Sequence, residues 1–215
     1  MSFRKINFAN GEFYHIYNRG VEKRPIFSDS YDLQRFLQSM EEFNSTEPIG
    51  SIFENSFKKL GSEASKLKLV NFVAYCLNPN HFHFVLEQVS EKGIEKFMHR
   101  LGTGYTKYFN NKQKRTGALF QGVFKSKHVN SNEYLLHLSV YVNLNNDPKL
   151  LGSEASKLSK SSWSEYLSEN NFGKENLCKK EIILGQFKTL KEYEEFARSS
   201  LDDIIRTKEK EFDFD

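Results

Sequence analysis

Polar and apolar positions along this chain follow two periods, one near two and one near 3.6 residues. From Glu12 to Asn18 (EFYHIYN), aromatic and β-branched residues run up to Arg19-Gly20, which predicts a strand leaving into a loop. Leu33, Phe36, Leu37 and Met40 then share one helical stripe behind the cap candidates Ser28, Asp29 and Ser30. Residues 44–66 are polar with scattered phenylalanines and read as an insertion loop. Leu67 to Leu77 and Phe82 to Val89 are strand-like runs joined by Asn78-Pro79-Asn80, where Pro79 presets φ for a turn; they predict a hairpin with His81 at its second shoulder. Ile94 to Asn111 predicts a long amphipathic helix, weakened by Gly102 and Gly104. Ala118 to Val129 reads as a further strand, and Ser131 to Asn145 as a helix capped by Ser131.

The order β-α-β-β-α-β predicts an α+β fold, a ferredoxin-like antiparallel sheet with helices on one face. After Pro148 the chain turns polar, with a short Trp163 to Leu167 segment and a terminal helix over Leu190 to Lys210. Residues 1–150 are therefore expected to form the functional domain, and residues 151–215 a C-terminal helical extension.

Composition narrows the class. In 215 residues, 38% are hydrophobic and 14% aromatic, enough for a packed core. No apolar run approaches the roughly 20 residues that cross a bilayer. Met1-Ser2-Phe3-Arg4-Lys5 is polar where a secretory signal carries its apolar stretch, so the expected location is the cytoplasm, with no membrane partner. Cys76 and Cys178 match neither a zinc spacing nor a disulfide framework. The net charge of +3 names no partner, but its distribution is uneven. Between Gly93 and Asn130, eight cations face Glu95 alone, a local +7 that leaves −4 for the remainder.

Two sites can carry chemistry. His81 and His83 are i and i+2 in a predicted strand, so both imidazoles project from one face while Phe82 faces the other way. That is half of a metal site, or two exposed histidines on a strand. Tyr141 and Asn145 are i and i+4 on a predicted helix and share a face with His137 at i−4. A tyrosine is a poor nucleophile at its free pKa of ~10, but it forms covalent intermediates with a phosphate that a metal polarises. By spacing alone a helical tyrosine is usually a half-buried packing residue.

Five segments occur in order: Phe13-Tyr14-His15-Ile16-Tyr17-Asn18-Arg19-Gly20; Tyr75 to Glu87 (YCLNPNHFHFVLE); Tyr105-Thr106-Lys107-Tyr108-Phe109-Asn110; Arg115 to Gly122 (RTGALFQG); and Tyr141-Val142-Asn143-Leu144-Asn145. Together they resemble the IS200-like transposases, specifically the REP-associated tyrosine branch of the single-tyrosine HUH nucleases. The likeness covers roughly residues 10–150, and Ser162 to Leu167 with Tyr193 to Phe196 also looks like that branch's C-terminal extension. The resemblance implies that His81 and His83 are the metal pair, for Mg²⁺ or Mn²⁺, and that Tyr141 is the nucleophile. Asn145 stands where related enzymes carry a metal-binding Gln and where the REP-associated branch usually has Asn; it would act as a weak ligand or orient a water. Two departures stand out. Val123 replaces the usual Arg of a Gln-Gly-Arg-Phe run, and Asn145-Asn146-Asp147-Pro148 replaces a direct Asn-Pro.

The activity so implied is a transposase-type endonuclease and strand transferase that cuts and rejoins single-stranded hairpin (REP-like) DNA through a 5′-phosphotyrosine. The alternative is a hairpin-DNA-binding protein derived from a transposase and no longer cleaving. A metallohydrolase would need further ligands, and His15, His99, His128 and His137 form no hydrolase motif. Lys112, Lys114, Arg115, Lys125 and Lys127 would flank the DNA strand, with Arg19 on a phosphate or base and Tyr105, Tyr108, Phe120 and Phe124 available for stacking or for the core. Monomer and homodimer both stay open.

One feature is left over. Leu60 to Leu67 (LGSEASKL) recurs identically as Leu151 to Leu158, both in predicted loops. Two copies at this spacing cannot form a solenoid. The back-translation CTT GGA AGC GAG GCT TCC AAG of Leu60 to Lys66 has a first nine bases that are the reverse complement of its last nine. The peptide thus permits a DNA hairpin. A duplicated surface loop and a translated DNA element are both open readings.

Overall fold

The computed structural model describes residues 7–47, 50, 52, 67–168 and 176–210, with side chains to residue 203. Its elements follow the expected order: β1 (Phe13–Arg19), α1 (Ser30–Glu42), β2 (Val70–Asn78), β3 (His81–Gln88), α2 (Gly93–Lys112), β4 (Lys125–Val129) and α3 (Asn132–Leu144). A short strand, β5 (Lys160–Ser161), joins the far edge. The sheet order is β4-β1-β3-β2-β5, every pair antiparallel, so the first four strands make a ferredoxin-like sheet.

The β2–β3 hairpin is anchored at its tip. The Pro79 carbonyl accepts from the Ile26 and Phe27 amides, and Asn80 O accepts from the Gly20 amide. Gly20 has to be glycine here, because a Cβ would lie 2.0 Å from the Arg24 carbonyl oxygen. These bonds tie the loop after β1 to the turn that delivers His81.

One face of the sheet is an aromatic core. Phe36 of α1 packs on Phe82 and Phe84 with ring centroids 5.6 and 6.4 Å away. Phe97 of α2 meets Phe72 edge-on at 5.5 Å, and Tyr105 meets Phe36 at 4.7 Å. Each such ring removes on the order of 150–250 Å² from water, which is why α1 and α2 seat on this face. The capping of α1 is as expected: Asp29 accepts from the Asp32 amide. Gly104 does not break α2, because it sits where a Cβ would be 2.5 Å from the Phe43 ring. The glycine costs helix propensity and admits Phe43.

The other face is covered by α3, the extra helix that follows the ferredoxin-like order. The helices expected on one face are the two crossover helices, α1 and α2, and they lie there. Helix α3 is apolar nearly all round because it lies between the sheet and the terminal helix: Leu135, Leu138, Val140 and Val142 are buried. Four short helices, α4 (Pro148–Leu151), α5 (Ser153–Lys157), α6 (Trp163–Leu167) and α7 (Glu181–Leu184), precede α8 (Leu190–Lys210). The C-terminal segment is bonded to the sheet side: Tyr166 donates to the Val73 carbonyl at 2.8 Å, Tyr75 to Glu165 at 2.9 Å, and Asn143 on α3 to the Tyr193 hydroxyl at 3.0 Å.

Two further expectations change. The strand expected over Ala118 to Val129 begins only at Lys125, since Gly117 (φ 89) and Gly122 (φ 69) turn the chain; what precedes it makes a single bridge, Gly20 to Phe120. The second LGSEASKL copy is not loop but the end of α4 and all of α5, divided by Gly152 at φ 87. Residues 60–66 of the first copy, and most of the insertion expected over 44–66, lie outside the described residues.

Candidate active site

Register builds the site. Along β3 the parity of the pleat sends Phe82 and Phe84 into the aromatic core and leaves His81 and His83 half-buried on the α3 face. Across from them, β1 contributes Arg19 opposite His81 and Tyr17 opposite His83. One strand further, Lys125 of β4 lies opposite Tyr17 and Lys127 opposite His15. A single face therefore carries His81, His83, His15, Tyr17, Arg19, Lys125 and Lys127.

Helix α3 closes over this face. Ser131 caps it by accepting from the Tyr134 amide at 3.1 Å. Tyr141, half-buried, presents its ring edge-on to His83 at 5.6 Å and to His15 at 6.3 Å. One turn on, Asn145 is buried, and its Oδ1 lies 3.4 Å from His81 Nε2. Tyr134, earlier on the helix, lies under Lys127, whose Nζ is 4.8 Å from the ring centroid; Lys125 Nζ is 5.8 Å from that of Tyr17.

Hydrogen bonds set the imidazole orientations. His81 Nδ1 lies 2.6 Å from Asn80 Oδ1, an acceptor, so Nδ1 carries the proton and Nε2 keeps its lone pair. Asn78, fully buried, donates its Nδ2 both to that Nε2 (3.0 Å) and to Asn145 Oδ1 (2.7 Å). Two electron-pair donors, an imidazole nitrogen and an amide oxygen, are thus held side by side. His83 Nδ1 is paired with His15 Nε2 at 3.0 Å. Burial, and after it the charge of Lys127, lower the His15 pKa to about 4, so His15 is a neutral partner to His83 at pH 7.

The expected site residues divide into two groups. His81, His83, Tyr141, Asn145, Arg19, Lys125 and Lys127 share the α3 face. Arg19 is further fixed by Gln121, whose Oε1 accepts from its Nε. Lys112 is elsewhere: it bridges Asp29 and the buried Asp32 at the start of α1, on the aromatic side, and this pairing raises its pKa. Arg115 donates to the Ala118 carbonyl and lies over Phe109, and exposed Lys114 occupies a left-handed turn position (φ 50) after α2. His137 stacks on Phe196 of α8 instead of facing the sheet with Tyr141. Tyr105 is buried and donates to the Ile26 carbonyl, while Tyr108 donates to Asp32. Phe120 and Phe124 line a separate cleft of about 620 Å³ with Asn18, Phe82 and Met98, and neither His81, His83 nor Tyr141 lines it.

Sequence reasoning missed His15 and Asn78 as members of the cluster. His15 alternates with Ile16, but only the register of β1 on β3 sets it beside His83. Asn78 stands at the start of the expected turn, where β2 ends, and from there its amide bridges His81 and Asn145.

Fold and site together describe a ferredoxin-like α+β protein in which an imidazole pair on a strand faces a helical tyrosine beside lysines. Residues 10–145 match the family described as "Transposase IS200 like", and the chain belongs to that family. A solved structure titled "Structure of the REP associates tyrosine transposase bound to a REP hairpin" is similar in fold, with a TM-score of 0.53 and 12% identity, over 80% of this chain and 88% of that one. No curated protein matches. Among the described residues no helix is long and apolar enough to cross a membrane.

Proposed function

We propose that this transposase cuts and rejoins single-stranded hairpin DNA of the REP type, with Tyr141 as nucleophile. The observation that carries the reading is the meeting of Tyr141 with His83, and of Asn145 with His81, on one lysine-edged face of the sheet. The similar structure solved with a REP hairpin supports hairpin DNA as the partner.

Among the described residues no group of three or more His, Cys, Asp or Glu is arranged to hold a metal ion. We infer that the donor set for one is His81 Nε2, His83 and the Asn145 carbonyl oxygen, with the Asn78 amide giving up its bond to His81 Nε2 and phosphate and water completing the shell. The Asn80 bond to His81 and the His15 bond to His83 are the outer contacts that fix ligand imidazoles. Bound there, Mg²⁺ or Mn²⁺ would draw electron density from the scissile phosphate and stabilise the charge developing on it. Two imidazole nitrogens suit Mn²⁺ better than Mg²⁺, which prefers an oxygen cage.

In the cleavage step the Tyr141 phenol loses its proton and its oxygen bonds to phosphorus. The P–O3′ bond breaks, and the departing 3′ oxygen takes up a proton. The products are a 5′-phosphotyrosine and a free 3′-OH. A 3′-OH attacking the same phosphorus reverses each bond change and releases the phenol, so the strand is rejoined without ATP. Lys125, Lys127 and Arg19 hold the backbone on either side.

Tyr141→Phe is expected to abolish the denaturation-resistant protein–DNA adduct formed with Mn²⁺, and to leave hairpin affinity within about 1 kcal/mol, because only a hydroxyl is lost. An adduct that persists in this variant rejects Tyr141. A wild-type protein that binds the hairpin but forms no adduct would be a binding protein.

A further inference from the structure

We propose that the two LGSEASKL copies are the translated form of a DNA hairpin that this protein itself recognises, so that its own gene carries its substrate. The inference rests on the hairpin-DNA reading above and deepens it by naming the hairpin.

The structure gives the second copy little to do. In the described copy, Leu151 to Leu158, no side chain is fully buried. Helices α4 and α5 pack chiefly on each other, and Lys157 pairs with Glu154 of the same copy in solvent. Leu158 alone of this copy is among the partly buried side chains that touch the hydrophobic core. A surface peptide under so little constraint tolerates change, yet this copy is identical to the first over eight residues. Identity that the protein does not require points to the nucleic acid.

The peptide has the symmetry such a nucleic acid imposes. In an in-frame stem each residue is encoded by the reverse complement of its mate's codon. Around Glu63 the mates are Leu60 with Lys66, Gly61 with Ser65, and Ser62 with Ala64; around Glu154 they are Leu151 with Lys157, Gly152 with Ser156, and Ser153 with Ala155. The genetic code allows one solution at each pair: CTT with AAG, GGA with TCC, and AGC with GCT. The glutamate codon is the loop. In the first copy Lys59 and Leu67 can add a fourth codon pair, whereas Leu150 and Leu158 cannot, because no leucine codon is the reverse complement of another. The shared hairpin therefore ends where the shared peptide ends on its N-terminal side.

The test begins with the gene. Six codons at each copy have to be those named, and arms that cannot pair overturn the proposal at once. The full-length protein is then offered three single-stranded oligonucleotides with Mn²⁺: the gene segment spanning a copy, the same segment recoded synonymously so that its arms no longer pair, and hairpins from the DNA flanking the gene. The proposal predicts that the native segment binds at least about tenfold tighter than the recoded one and forms the tyrosine adduct. Equal binding of native and recoded segments, with the flanking hairpins bound and linked, overturns this inference and leaves the functional reading standing. Binding to none of the three overturns both.

Discussion

The two faces of the sheet are built from the same strands and have opposite chemistry. Strand β3 gives Phe82 and Phe84 to one and His81 and His83 to the other. On the first face rings meet at 4.6–6.4 Å, and the charge present is neutralised locally, Lys112 held by Asp29 and Asp32. On the second, Lys125 and Lys127 have aromatic neighbours, and imidazoles, amides and a phenol gather under one helix. The same kind of residue, a lysine in the basic segment, is thus a structural tie on one side and a candidate phosphate contact on the other. What separates them is the acidic start of α1, which only the fold brings to Lys112.

Substitutions on the two faces should therefore separate activity from stability. The largest effect is expected for His81→Ala, which removes a proposed ligand and lowers Mn²⁺-dependent cleavage by about 100-fold or more while the thermal transition stays near wild type; unchanged cleavage would reject the assignment. Phe84→Ala, one residue from His83, should do the reverse. It opens a cavity in the aromatic core and destabilises by about 3–5 kcal/mol in denaturant titration, with the adduct still formed by the folded fraction. His15→Phe keeps a ring but removes the partner of His83. Mn²⁺ affinity in the absence of DNA, read by calorimetry, is expected to fall about 10–100-fold; wild-type affinity would reduce His15 to packing. The smallest effect is electrostatic. Replacing both Lys125 and Lys127 with Ala should flatten the slope of log affinity against log salt by about 1.4 for single-stranded DNA, two phosphates at about 0.7 each. Lys112→Ala should leave that slope alone and lower the melting temperature.

The features legible in the sequence are those that local periodicity sets. The shared face of His81 and His83 follows from strand parity, the Tyr141–Asn145 turn from helical spacing, and the ferredoxin-like order from the succession of elements. The features missed depend on pairing partners distant in the chain. His15 joins His83 through a register between residues 68 apart, and Lys112 finds Asp29 across 83. The β-rich run over Ala118 to Val129 is longer than β4 because Gly117 and Gly122 turn the chain through their positive φ, which composition does not display. His137, on the helical face of Tyr141 by spacing, was drawn away by Phe196, a neighbour that α8 supplies.

Tyr141 is the residue proposed to hold DNA. Wild-type protein incubated with a hairpin oligonucleotide and Mn²⁺ can be denatured, digested with protease and nuclease, and the linked peptide sequenced by mass spectrometry. A single modified peptide is expected, with a nucleotide joined through its 5′ phosphate to Tyr141. A linkage on any other residue, or through a 3′ phosphate, would contradict it.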